Sequence, residues 1–235
     1  MPSQTFPASY MVAQLSPPPP LEMVFDYVCT NADTVGSGFS IENSRIANHR
    51  ARGLLLKASH GLVRNVSITN SSLGGIIVTP ELYWEEASYA HNVTLVGNTI
   101  TLTSSGAQSY GGIGVGAVAP GDKLAVSPGH SGIVITNNTL VDCGYSPIWL
   151  NAAGNLTLSY NTLRSPFHAS NASGLPHCCE PLPSSQAIAV YVSGVQGLSI
   201  LGNCVFPAPG GENSLQYLLN VTDASGSWEG GVSFC

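Results

Sequence analysis

The sequence predicts an all-β chain, wound as a right-handed parallel β-helix of about six coils with two inserted loops. Three observations carry that expectation. Short runs of Val, Ile, Leu and Thr alternate with small polar residues, which is a strand pattern. Charged residues make up only 9% of the chain, against 26 Gly and 16 Pro, which leaves little to build helix faces. Finally, one phrase recurs: apolar, x, apolar, two small or polar residues, Asn or Ser, x, apolar.

The phrase reads FSIENSRI at 39–46, VSITNSSL at 66–73, VTLVGNTI at 93–100, IVITNNTL at 133–140, LTLSYNTL at 156–163 and LSILGNCV at 198–205. Its Asn/Ser positions are Ser44, Ser71, Asn98, Asn138, Asn161 and Asn203, spaced by 27, 27, 40, 23 and 42. Roughly 20 to 29 residues make one solenoid coil. The two long spacings therefore imply loops inserted near 104–130 and 164–186. Residues i and i+2 of a strand share a face, so Phe39 with Ile41, and Val93 with Leu95, are expected to point into the core. The Asn or Ser turns the corner, since Asn tolerates left-handed backbone, and stacked amides can form a hydrogen-bonded ladder. The next apolar residue (Ile46, Leu73, Ile100, Leu140, Leu163 or Val205) re-enters the core.

A second strand per coil is expected in GLLLKA at 53–58, GIIVT at 75–79, GIGVG at 112–116, PIWLN at 147–151, AIAVYV at 187–192 and QYLLNV at 216–221. A leucine-rich repeat would show a regular LxxLxLxxN frame, and a β-sandwich would show hairpin turns; the sequence shows neither. Residues 1–30 form a Pro-rich lead-in or cap. Residues 31–235 form the β-helix, with a disulfide-rich C-terminal end.

Seven Asn-X-Ser/Thr sequons, at Asn65, Asn70, Asn92, Asn137, Asn155, Asn171 and Asn220, and six cysteines point to a secreted or extracellular glycoprotein. Cys178, Cys179, Cys204 and Cys235 are read as two disulfides with open pairing. The opening MPSQTFPASYMVAQLSPPPP lacks the basic start and long apolar run of a signal peptide, so the chain is read as a fragment, an incomplete gene model or part of a longer polypeptide. No apolar stretch is long enough for a membrane span. The formal charge of −6, with seven basic residues, argues against a nucleic-acid partner.

Residues 39–100 resemble the β-helix of glycoside hydrolase family 110, α-galactosidases acting on terminal α-1,3-linked galactose. The matching text is IENSRIANHRARGLLLKASHGLVRNVSITNSSLGGIIVTPELYWEEASYAHNVTLVGNTI. It carries the turn Arg50-Ala51-Arg52-Gly53 and, a coil later, Trp84 with Glu86 two places on. Where the family has Asp four residues before the Trp, this chain has Pro80, with Glu81 beside it. The resemblance implies a carbohydrate ligand, no cofactor and no metal.

Glycoside hydrolysis needs two carboxyl groups, about 6.5–9.5 Å apart in inverting enzymes. Glu81, Glu85 and Glu86 form the densest acidic cluster, beside Tyr83, Trp84 and Tyr89. Glu86, Glu81 and Asp142 are the catalytic candidates, and Arg52, Arg50, Tyr83 and Trp84 the substrate-binding ones. Each has a structural alternative. The acidic cluster can be a solvated loop whose Trp packs on the helix wall. Arg50 and Arg52 can ion-pair with Glu42 or Glu81. Asp142 can simply cap its turn. His49, His60, His91 and His130 lack metal-ligand spacing and read as turn residues. Two other functions stay open: a non-catalytic glycan-binding or structural module, and a polysaccharide lyase or epimerase. The second of these requires an Asp cluster that the sequence lacks.

Overall fold

The computed structural model describes residues 35–81, 88–103, 110–119, 123–125, 128–144, 146–166, 188–207 and 217–235. Within them the chain is a parallel β-helix with three faces. The first face stacks β1 (Ser40–Glu42), β4 (Gly61–Arg64), β7 (His91–Val96), β12 (His130–Thr136), the second halves of β14 (Ser146–Ser159) and β16 (Ile188–Leu201), and β19 (Gly226–Ser227). The second face stacks β2 (Arg45–His49), β5 (Ser67–Ser71), β8 (Thr99–Thr103), β13 (Thr139–Val141), β15 (Thr162–Arg164), β17 (Asn203–Phe206) and β20 (Val232–Phe234). The third face stacks β3 (Leu54–Leu56), β6 (Ile76–Val78), β9 (Tyr110–Val115), the first halves of β14 and β16, and β18 (Tyr217–Thr222). Each coil thus has three strands. The phrase at the start of each coil spans two of them, folded at its Asn, and the second-strand candidates supply the third.

The interior follows from alternation. Ile41, Val63, Leu95, Ile135, Leu158 and Ile200 are in register down the first face. Ile46, Ile68, Ile100, Leu140, Leu163 and Val205 are in register down the second. Leu54, Ile76, Ile113, Ile148, Val190 and Leu219 line the third. From the second coil to the fifth these side chains are buried. Fully burying each one contributes roughly 1.5–3 kcal/mol.

Corners are made by single residues with left-handed backbone. Between the first and second faces these are Asn43, Asn65, Gly97, Asn137, Tyr160 and Gly202, with φ between 50° and 65°. From the second coil on, the residue after each one faces inward. In the middle coils it is the ladder Asn: Asn98 donates through Nδ2 to Asn138 Oδ1 at 2.9 Å, Asn138 to Asn161 at 2.9 Å, and Asn161 to Asn203 at 2.8 Å. The expected ladder therefore exists, but the left-handed residue is the one before the ladder Asn.

Two expectations need correction. Ser71 does not stack with Asn98. The second phrase is GLVRNVSI at 61–68, so Val66 occupies the ladder position and donates its backbone N–H to Asn98 Oδ1 at 3.0 Å. The true spacings from Ser44 are 22, 32, 40, 23 and 42. Asn65 and Asn70 both end in left-handed corners, and the inward stacking of Ile68 between Ile46 and Ile100 sets the phase. Leu73 is only half-buried.

Nor is 104–130 a single insertion. β9 lies inside it, paired to β6 and β14, and a short hairpin of β10 (Val118–Ala119) and β11 (Lys123–Leu124) follows. The second loop separates β15 from β16, but 167–187 lies outside the described residues, as does the lead-in 1–30.

Glycines at the entry to the third face have a steric cause. A Cβ on Gly53 would sit 2.5 Å from Ile68 Cγ2, on Gly75 2.5 Å from Ile100 Cγ2, and on Gly112 2.2 Å from Leu140 Cδ2. The side chains of the second face already fill that corner.

Cys204 and Cys235 form a disulfide with Cα atoms 5.8 Å apart, tying the C-terminal strand to β17. Cys143 is a buried free thiol whose pKa burial pushes up to about 11, so it is an inert core residue rather than a disulfide partner. Cys29, Cys178 and Cys179 lie outside the described residues.

Candidate functional site

Strands of the third face present every second side chain outward. Their outward column runs Leu55, Ile77, Gly114, Trp149, Tyr191, Asn220 in register. Ile77 and Trp149 point away from the interior, yet they are only 1% and 4% exposed. Together with Leu55, Tyr191 and Leu124 they form a second apolar cluster outside the core. The Trp149 ring fills the space above Gly116, where a Cβ would meet it at 2.3 Å. Two residues on, Asn151 also faces outward, beside Ser193 and then Thr222 in the following coils. Asn151 donates through Nδ2 to the carbonyls of Ala125 at 3.0 Å and Ser193 at 3.2 Å.

Arg52, Lys57 and Glu81 meet at the rim of the same face. Arg52 precedes β3, Lys57 follows it, and Glu81 lies beyond β6 one coil on. Arg52 Nη2 sits 2.9 Å from Glu81 Oε1, and Lys57 Nζ 2.6 Å from Glu81 Oε2. Glu81 has left-handed backbone, φ 48°, and its N–H reaches Thr79 Oγ1 at 3.4 Å. Both carboxylate oxygens are thus engaged by cations, which hold the Glu81 side chain between Arg52 and Lys57. The ion-pair alternative for Arg52 holds, with Glu81 as the partner. Glu42 pairs instead with Arg64, through Nε at 2.8 Å and also through Nη2. A hydrogen bond from Ser40, then Arg64, holds the Glu42 carboxyl below its ordinary range.

The structure does not bring Asp142 to this rim. Asp142 has φ 50° and closes the corner after β13, in the column of Asn48, Asn70, Leu102 and Ser165. Its N–H donates to the Arg164 carbonyl at 3.0 Å. It is a turn residue, separated from Glu81 by the width of the third face. Arg50 is exposed on the bend before β3. Tyr83, Trp84, Glu85 and Glu86 lie outside the described residues.

Among the histidines, His60 is a left-handed corner residue. His130 is buried. Its Nδ1 accepts the Ala90 N–H at 3.0 Å, which makes Nε2 the protonated nitrogen that donates to the Gly116 carbonyl at 3.1 Å. Tyr89 packs edge-on against it, with centroids 5.1 Å apart. Desolvation lowers the His130 pKa to about 4. Among the described residues no three His, Cys, Asp or Glu side chains converge as metal ligands, and no helix is long and apolar enough to cross a membrane.

Trp149, Tyr191 and Asn151 were not singled out from sequence as site residues. Their signal lay in PIWLN and AVYVS, where an aromatic residue stands between two inward aliphatics and so must face outward.

The family model for the right-handed β-helix region matches residues 28–217. No curated protein and no solved structure matches the chain. The match spans most of the chain and agrees with the parallel stack of three faces. The chain belongs to the right-handed β-helix family.

Proposed function

We propose that this β-helix is a glycan-binding module of a secreted glycoprotein and engages carbohydrate along its third face. One observation carries the reading: Tyr191, half-exposed, stands beside Trp149 on an outward column whose far rim holds the Arg52–Lys57–Glu81 cluster. Sugar rings stack on aromatic faces, and hydroxyls pair with fixed charged groups. A β-helix alone does not define a ligand; these side chains are what support the reading. The disulfide Cys204–Cys235 and the exposure of Asn65, Asn70, Asn92, Asn137 and Asn155 support the secretory reading.

A second reading, hydrolysis of terminal α-galactosides, is favoured by Trp84-Glu85-Glu86 beginning three residues after the ion-paired Glu81 and by the resemblance to family 110. In that reading Glu86 is the acting carboxylate and Glu81 positions Arg52.

The two readings are tested together on α-1,3-linked galactosides. Wild type and Glu86→Gln are assayed for turnover, and wild type and Tyr191→Ala for glycan-array binding. Binding without turnover supports the module. Turnover that falls by orders of magnitude in Glu86→Gln supports the hydrolase. Neither binding nor turnover overturns both.

A further inference from the structure

Outward residues of a solenoid face ordinarily meet solvent, yet Trp149 and Asn151 are 4% and 1% exposed. Among the described residues, β11 and the residue after it lie against them. Leu124 packs on the Trp149 cluster, and the Ala125 carbonyl takes the Asn151 amide at 3.0 Å. The cover is slight. Among the described residues β11 pairs only with β10, two residues to two, and Ala125 returns one backbone bond to Ala117 at 3.0 Å. A two-stranded ribbon of that size has little stability of its own.

What lies beneath is not an ordinary apolar patch. The Asn151 Oδ1 is buried and accepts no hydrogen bond. An unsatisfied buried acceptor costs about 1–3 kcal/mol. It sits two residues from an indole on the same outward face.

We infer that Trp149 and Asn151 form a covered sugar subsite on the third face, opened when Leu124 and Ala125 lift. A neutral pyranose fits this pairing. Its C–H face stacks on the indole, one hydroxyl donates to Asn151 Oδ1, and another accepts from Nδ2 in place of the Ala125 carbonyl. The ligand exchanges one closed contact for two and satisfies the orphaned acceptor, so binding is strongest for sugars with adjacent hydroxyls at the ring edge. This inference rests on the glycan-binding reading and extends it to residues that the closed structure hides.

The test uses the full chain and a printed array of neutral oligosaccharides. Oxidation of Trp149 by N-bromosuccinimide, read peptide by peptide, reports the cover. In Leu124→Ser, Trp149 is expected to oxidise at least tenfold faster than in wild type, and array binding to rise severalfold. Adding Asn151→Leu is expected to return binding to the wild-type level while oxidation stays fast. Trp149 equally protected in Leu124→Ser and wild type would show that β11 is not the cover. Fast oxidation without a gain in binding would show that the surface takes no sugar. If Leu124→Ser does not fold, wild-type oxidation is compared with and without the best-bound array glycan; an unchanged Trp149 rate overturns the subsite. Wild-type binding that depends on Tyr191 but does not rise in Leu124→Ser would sink the covered subsite and leave the third-face reading standing.

Discussion

The Nδ2 of Asn138 donates to the Oδ1 of Asn161 at 2.9 Å, across adjacent coils in the buried interior. The same Nδ2 reaches the Leu95 carbonyl at 3.0 Å, and the Asn138 Oδ1 receives both the N–H and the Nδ2 of Asn98, at 3.0 and 2.9 Å. Every polar atom of this side chain is therefore used. Asn138→Ala strands partners above and below, at about 1–3 kcal/mol for each unsatisfied group. A loss of about 3 kcal/mol or more in urea unfolding is expected. Asn137→Ala, at the exposed left-handed corner next door, is expected to cost about 1–2 kcal/mol through backbone strain alone. Equal losses would remove the ladder from the account.

Gly75→Ala tests the crowded entry to the third face. The new methyl would meet Ile100 Cγ2 at 2.5 Å and the Gly112 carbonyl oxygen at 2.7 Å. Neither backbone oxygen nor packed isoleucine yields easily, so a loss of about 1–3 kcal/mol is expected from overpacking. In an Ile100→Ala background, which lacks the Cγ2 that the new methyl meets, Gly75→Ala should cost less. No reduction would place the cost at the Gly112 carbonyl oxygen instead.

His130 gives the fold an acid limit. The buried ring is neutral, with its pKa lowered to about 4, mainly by desolvation, and neighbouring His91 adds to the lowering. The unfolded chain protonates at an ordinary histidine pKa near 6.5, so it binds protons first as pH falls. The stability tied to this ring is complete above about pH 6.5 and is lost as pH falls towards 4. The total is about 3 kcal/mol. The stability difference between wild type and His130→Asn should shrink over that window. A difference constant from pH 7 to pH 4 would contradict the assignment.

Much of this architecture is legible in sequence because a solenoid writes its period into the chain. The ladder residues Asn98, Asn138, Asn161 and Asn203 were found from one phrase, since each coil repeats the same corner chemistry. The second coil is hard to phase because Val66 holds the ladder position without an amide and Asn70 offers a rival corner five residues after Asn65. What the phrase does not encode is what covers an outward face. Trp149 packs with Leu124, a residue of the short hairpin, and the pairing of Glu81 with both Arg52 and Lys57 joins coils one turn apart. Asp142 looked like half of a carboxylate pair from its residue type, while its left-handed φ marks it as a corner.

The corner sequons predict a glycan pattern. Asn65, Asn70, Asn92, Asn137 and Asn155 all have φ between 50° and 56° and lie exposed at corners. Asn220 instead lies on the third face beside Tyr191 and is half-buried. From a eukaryotic secretory host, glycopeptide mass spectrometry should find several corner sites occupied. Asn137→Gln should remove one glycan. A protein with every corner sequon unmodified would overturn the secretory assignment.

Glycan-array binding of wild type, Tyr191→Ala and Thr99→Ala tests the third face most directly. Tyr191 is a half-exposed aromatic of that face, whereas Thr99 is exposed on the second. The account predicts that Tyr191→Ala lowers binding at least tenfold and that Thr99→Ala leaves it unchanged. Binding that survives Tyr191→Ala intact, or that falls with Thr99→Ala instead, would contradict it.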